Sequence, residues 1–169
     1  MYTSGMHAVK AGTILSSPLG DLWVEITELG LSRLWFGVPA EAVPTGSHPL
    51  LESLEYQLAE YWAGHRRAFS VPLDLQGSPF QQRVWHNLLT IPWGKTRTYL
   101  EQATALGDPN SIRAVAMANG RNPVAIVVPC HRVIGTDGSL TGYAGGLDRK
   151  RALLDLDGWK PLGQGSLGL

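Results

Sequence analysis

Asn122-Pro123-Val124-Ala125-Ile126-Val127-Val128-Pro129-Cys130-His131-Arg132-Val133-Ile134-Gly135 holds the one cysteine of the 169-residue chain. The apolar run Val124 to Val128 reads as a buried strand that delivers Cys130 just past a proline. A cysteine acts as a nucleophile in its thiolate form, and its unperturbed pKa is about 8.5. His131, an imidazole able to take the proton, follows directly, and then the basic Arg132; both favour the thiolate. A lone cysteine is commonly a small apolar packing residue. The Pro-Cys-His-Arg setting at a strand end points instead to a reactive one.

Upstream of this stretch the chain reads as helices. Ser78-Pro79-Phe80-Gln81 is a helix start, with serine as N-cap, proline at the first helical position and glutamine at the third. Phe80, Val84, Trp85, Leu88 and Leu89 form its apolar stripe, and Ile91-Pro92-Trp93-Gly94 stops it. Thr98-Tyr99-Leu100-Glu101 is a second capping box, with a helix ending near Leu106-Gly107. Asp108-Pro109 opens a third helix that runs to about Asn119-Gly120. Two short helices joined by a glycine-containing turn fit a helix-turn-helix, although hairpins that bind nothing share the pattern. The third helix carries Ala114, Ala116, Ala118 and Gly120, with Arg113 near its start and Arg121 just beyond its end. Helices that read a major groove present long polar side chains. This small-residue face fits close approach to a surface, with Arg113 as a long probe, or tight packing on a neighbouring helix; the pattern leaves both open.

Before Gly77 the texture differs. Thr13 to Ser17, Leu22 to Thr27 and Leu31 to Phe36 read as strands separated by Pro18-Leu19-Gly20-Asp21 and Glu28-Leu29-Gly30. A loop from Gly37 to Ser47 leads to a helix in which Leu50, Leu51, Leu54, Leu58, Tyr61 and Trp62 recur at helical spacing, closed by Gly64. Val71 to Leu75 fits one more strand. The expected organisation is an α/β scaffold unit at 1–76 and a mainly helical unit at 77–169 that carries the chemistry.

Composition bounds the rest. Apolar residues make up 44% and charged ones 17%, a globular profile. One cysteine excludes an internal disulfide and a cysteine-rich zinc site. Histidines at 7, 48, 65, 86 and 131 include no pair at helical ligand spacing, so no metal is expected. No apolar run reaches the roughly 20 residues of a membrane span. Met1 to Gly12 lacks the pattern of a secretory leader, which favours a cytoplasmic location. Net charge is zero, but residues 1–79 hold four basic and eight acidic residues and 80–169 hold ten and six. That asymmetry fits a second half facing an anion, or a chance division.

Pro129-Cys130-His131-Arg132-Val133 resembles the active-site motif of the O6-alkylguanine-DNA alkyltransferases, or methylated-DNA–protein-cysteine methyltransferases. The resemblance takes in Asn122-Pro123, Gly142-Tyr143-Ala144-Gly145-Gly146-Leu147 and Phe80-Gln81-Gln82-Arg83-Val84-Trp85. It covers nearly the whole chain and is strongest over 78–158. It implies a small ribonuclease-H-like N-terminal α/β domain and a mainly helical C-terminal domain with a winged-helix-like helix-turn-helix. It implies direct-reversal repair of double-stranded DNA bound through the minor groove, without a cofactor; no long apolar face is left over, so a monomer is expected. The alkyl group passes from O6 of a flipped guanine, with O4 of thymine a second candidate, irreversibly to Cys130. The resemblance makes His131 the base, acting through water, and Tyr99 the proton donor to guanine N3. It makes Arg113 the finger that fills the vacated stack, with Ala114, Ala118, Arg121 and Arg132 on the DNA-facing side. Asn122 ties the recognition helix to the cysteine segment. Tyr143, the Ala144 N–H and Lys150 close over the base, and the carbonyls of Cys130 and Val133 accept from its amine.

One departure stands out. Leu153 and Leu154 mark the inward face of the last helix, Leu147 to Asp157, and Asp157 falls on that face. An acid at a helix C-terminus opposes the helix dipole. The family has glutamate there to orient the histidine; the resemblance gives the shorter aspartate that task, with adjusted geometry or a second water. Asp155 is expected to face solvent. The main rival is a non-enzymatic protein that binds alkylated lesions, a kind of relative that has lost the cysteine; Cys130 argues against it. A cysteine hydrolase needs a sequence-distant histidine and an oxyanion hole, and a dithiol enzyme needs a second cysteine.

Overall fold

The computed structural model describes residues 6–161. Residues 1–5 and 162–169, which include part of the segment read for a leader and the ends of both expected units, lie outside them. Three antiparallel strands, β1 (Val9–Leu15), β2 (Leu22–Thr27) and β3 (Leu31–Phe36), form a meander with β2 at its centre. Leu22, Val24 and Ile26 of β2 are fully buried. β1 lies earlier than the expected Thr13 to Ser17, because the Ser17 hydroxyl bonds the Gly20 carbonyl and Leu19 N–H and turns the chain there. Helix α1 (Pro49–Trp62) follows, capped by the His48 side chain, and buries Leu54, Leu58 and Tyr61 in the common core.

Val71 to Leu75 is not a strand. Only Leu73 makes a bridge, to Leu31, and Pro72 has no N–H with which to extend it. Helix α2 (Pro79–Leu88) starts at the expected capping box of Ser78 and Gln81, and α3 (Tyr99–Ala105) at that of Thr98 and Glu101. A short 3-10 turn, Pro109–Ser111, leads into α4 (Ile112–Gly120). Trp85 Nε1 donates to the Ala118 carbonyl at 2.8 Å and ties α2 to α4. Gln102 and Asn119 exchange amide hydrogen bonds at 3.0 and 2.7 Å in the buried face between α3 and α4.

The expected strand Val124 to Val128 is also absent. Val124 makes one parallel bridge with Leu34, and the chain then turns through Ala125, Ile126 and Val127, with Ile126 at φ +72°. The run is apolar because both halves of the molecule cover it, not because it lies in a sheet. Asn122 closes the turn: its Oδ1 accepts from Val124 N and its Nδ2 donates to the Val128 carbonyl. A 3-10 turn, Cys130–Arg132, and strand β5 (Val133–Ile134) follow. β5 pairs in parallel with β4 (Arg97–Thr98), so the start of α3 is bonded to the cysteine segment. Helix α5 (Leu147–Leu156) ends one residue early, with Asp157 as its C-cap. One buried cluster runs from Leu22 and Leu34 through Tyr61 and Trp85 to Val124, Val128 and Leu153, with no gap at residues 76–77.

Candidate active site

Cys130 opens the 3-10 turn and is half-buried. Its N–H donates to the Val128 carbonyl, and the Asn122 amide donates to Sγ at 3.2 Å. Burial pushes the thiol pKa up; the Asn122 hydrogen bond and the Lys150 charge pull the other way without reversing it. The expectation that Arg132 activates the thiol fails for a geometric reason. Arg132 is buried, and its Nε donates to Asp157 Oδ2 at 2.6 Å and its Nη1 to the Ile91 carbonyl at 2.8 Å. A guanidinium committed to these partners does not reach a DNA surface either.

His131 is fully buried. Its Nε2 pairs with Asp157 Oδ2 at 2.8 Å, and its Nδ1 has no hydrogen-bond partner among the described residues. Burial holds its pKa below the usual value, against the pull of Asp157. The ring is therefore neutral, with Nε2 as donor to the carboxylate and Nδ1 as a lone-pair acceptor. Asp157 points inward, as its place on the helix required, and contacts His131 directly with no bridging atom needed. Burial works to raise its pKa, but hydrogen bonds from His131 and Arg132 bring it down to about 2. Its other oxygen, Oδ1, accepts from the Tyr61 hydroxyl at 2.9 Å, a contact the sequence did not reveal. Asp155 is exposed.

A lid, Thr141 to Gly146, leads into α5. Lys150 is fully buried, and its Nζ donates to the carbonyls of Val133, Thr141 and Gly142. Burial lowers its pKa to about 8. The Tyr99 hydroxyl donates to the same two lid carbonyls, Thr141 at 3.1 Å and Gly142 at 3.3 Å. Gly142 adopts φ +61°, which suits glycine and brings its backbone against Tyr99. Tyr143 is half-buried, its hydroxyl enclosed and without a partner among the described residues, while Ala144 is exposed. The Cys130 carbonyl accepts from the Val133 N–H that ends the turn.

On α4, Arg113 and Ala114 are exposed, as is Arg121 after it. Ala118 is not: it is 3% exposed and packs in the core. The small-residue pattern thus divides, Ala118 packing inward and Ala114 and Gly120 facing outward beside Met117, which is 62% exposed. Cys130, His131, Asp157, Asn122, Lys150, Tyr99 and Tyr143 converge, whereas Arg113, Ala114 and Arg121 lie on the outer surface.

A sequence profile of the 6-O-methylguanine DNA methyltransferase DNA binding domain matches residues 79–159, and one of the same family's ribonuclease-like domain matches 11–75. The chain belongs to the 6-O-methylguanine DNA methyltransferase family. Its fold is that family's, a small N-terminal sheet unit and a C-terminal helical one. The constitutive methylated-DNA–protein-cysteine methyltransferase of Bacillus subtilis is 43% identical over 150 residues, covering 84% of this chain and 91% of that one. The Mycobacterium tuberculosis protein of that name is 61% identical over 101 residues, 60% of this chain; the match spans 61% of that relative's length. The structure of Mycobacterium tuberculosis OGT in complex with DNA has a TM-score of 0.80 and 46% identity, covering 87% of this chain and 92% of that one. No helix among the described residues is long and apolar enough to cross a membrane.

Proposed function

We propose that this methyltransferase-family chain repairs double-stranded DNA by direct reversal, moving an alkyl group from O6 of guanine to Cys130 once per molecule. It is then a methylated-DNA–protein-cysteine S-methyltransferase that works without a cofactor, as a cytoplasmic monomer. Residues 1–76 form the scaffold and 77–169 the DNA-binding and transfer unit. The observation that carries the reading is the single cysteine bonded to Asn122 and followed by a buried His131 whose Nε2 is held by Asp157 and whose Nδ1 has no partner among the described residues.

The chemistry follows from these groups. The thiol is protonated at rest because burial raises its pKa, so a base is needed. His131 Nδ1 accepts the Cys130 proton through a water, and Asp157 offsets the imidazolium charge. The thiolate attacks the alkyl carbon; a C–S bond forms as the C–O6 bond breaks, and the electron pair stays on guanine. Tyr99 gives guanine N3 a proton, and Tyr143, the Ala144 N–H and Lys150 enclose the base. The target must leave the stack, which costs a few kcal/mol. Arg113 fills the gap, Ala114 lets α4 approach the minor groove closely, and Arg121 faces the phosphates. Lys150 already occupies the Val133 carbonyl, so a guanine amine there shares that acceptor.

The test is intact mass after mixing the protein with a duplex containing one O6-methylguanine. One added methyl group, mapped to Cys130 and lost in Cys130→Ser, is the expected result. Tight lesion-selective binding with no added mass would replace transfer by lesion binding.

A further inference from the structure

Tyr61 lies 96 residues from Asp157 in the chain, on α1 of the N-terminal unit, and its hydroxyl nevertheless reaches the carboxylate beside the active-site histidine. The two oxygens of Asp157 are unequally served. Oδ2 takes His131 Nε2 and Arg132 Nε, whereas the side-chain donor on Oδ1 is Tyr61. The Tyr61 ring is 2% exposed and packs against Trp62 and Phe69, with centroids at 5.3 and 5.4 Å. Burial and the Asp157 charge push its phenol up, so it is a protonated donor at neutral pH.

We infer that Tyr61 is a positioning residue for alkyl transfer: donating to Asp157 Oδ1, it fixes the carboxylate plane that anchors His131 through Nε2 and leaves Nδ1 for the thiol proton. The inference rests on the alkyl-transfer reading. A carboxylate turns about its Cβ–Cγ bond with little resistance unless both oxygens are held. Two donors crowded on Oδ2 do not fix that rotation; the third, on Oδ1, does. The phenol also shares the carboxylate's charge, so its loss leaves Asp157 a stronger partner for a protonated imidazole. The charged and titratable groups acting on His131 are Asp157 and Lys150 from α5 and Arg132 from its own turn, with Cys130 next in the chain and Tyr61 from α1 acting through Asp157; Tyr143 from the lid, beside Arg149, faces Cys130 and Tyr61.

The experiment compares Tyr61→Phe with Phe69→Leu in the full chain. Phe69→Leu disturbs the same ring without touching the carboxylate. Single-turnover transfer, lesion-duplex affinity, thermal stability and the pH profile are measured for each. In Tyr61→Phe the first-order transfer rate falls about five- to tenfold, the worth of one hydrogen bond. Duplex affinity is unchanged, and the acid limb of the profile moves to higher pH. Phe69→Leu lowers the melting temperature but leaves rate and limb in place. Equal rates and limbs for Tyr61→Phe and wild type, or parallel losses in both variants, would overturn the inference. If Tyr61→Phe does not fold, a fluorinated tyrosine at 61 retains the ring and strengthens the donor; the acid limb then moves to lower pH, and an unmoved limb overturns the inference. Histidine nitrogen NMR of His131 is independent of turnover. A titration that is the same in wild type and variant defeats the role of Tyr61, whereas absence of transfer in wild type defeats the alkyl-transfer reading instead.

Discussion

At Asp157 two oxygens serve three donors in a space closed to solvent. Removing its charge leaves the Arg132 guanidinium buried without its anion, and breaking such a pair costs about 3–5 kcal/mol. Asp157→Asn is therefore expected to unfold at markedly lower urea and to transfer methyl at least about tenfold more slowly. Its affinity for lesion duplex is expected to persist, as the exposed residues of α4 take no part in the pair. Asn122 tests the thiol from the other side. Its amide bonds Sγ, and that contact lowers a pKa that burial raises. Asn122→Ala is expected to move the midpoint of Cys130 modification by a small thiol reagent to higher pH; an unchanged midpoint would show that the contact does not tune the thiol. Cys130, His131 and the inward aim of Asp157 were legible in the sequence because they rest on adjacency and helical spacing. The burial of Arg132 was not, since a basic residue beside a nucleophile gives no local sign that its charge is spent on a carboxylate 25 residues away.

Helix starts were legible where two residues three apart bond each other's backbone, as at Ser78 with Gln81 and Thr98 with Glu101. The segment Val124 to Val128 was misread because a short apolar run reports burial and not the hydrogen-bond partners of its backbone. The pairing of β4 with β5 spans two residues on each side and leaves no periodicity to detect. Gln102 and Asn119 were equally hidden, as amides on a helix commonly face water. Their reciprocal bond sets α3 against α4. Gln102→Ala would leave the Asn119 amide buried and unsatisfied, at about 1–3 kcal/mol. The expected result is a lower urea midpoint at unchanged slope, together with weaker DNA binding from a misplaced α4.

For the whole molecule, acid is the weak side. Asp157 sits at about 2 when folded and near 3.9 when unfolded, so its stabilisation is complete above about pH 4 and is lost as pH falls towards 2. In the fold His131 takes its proton at lower pH than in the unfolded chain, because burial lowers its pKa, whereas an unfolded histidine titrates near about pH 6.5. The two effects have the same sign in successive windows: the melting temperature is expected to fall from about pH 7 to pH 4 through His131, and further below about pH 4 through Asp157. A flat profile would mean that the buried pair does not govern stability. The continuous core predicts one cooperative unfolding transition, with fluorescence and circular dichroism changing together. That continuity also limits how the halves can be exchanged. Leu34 bridges Val124, Arg149 bonds the Leu19 carbonyl and Tyr61 bonds Asp157, all across the position where the two sequence profiles meet. A hybrid that joined this N-terminal unit to a relative's C-terminal one would inherit two surfaces cut to different patterns, and only a graft that replaced both sides of the seam together would restore a working protein.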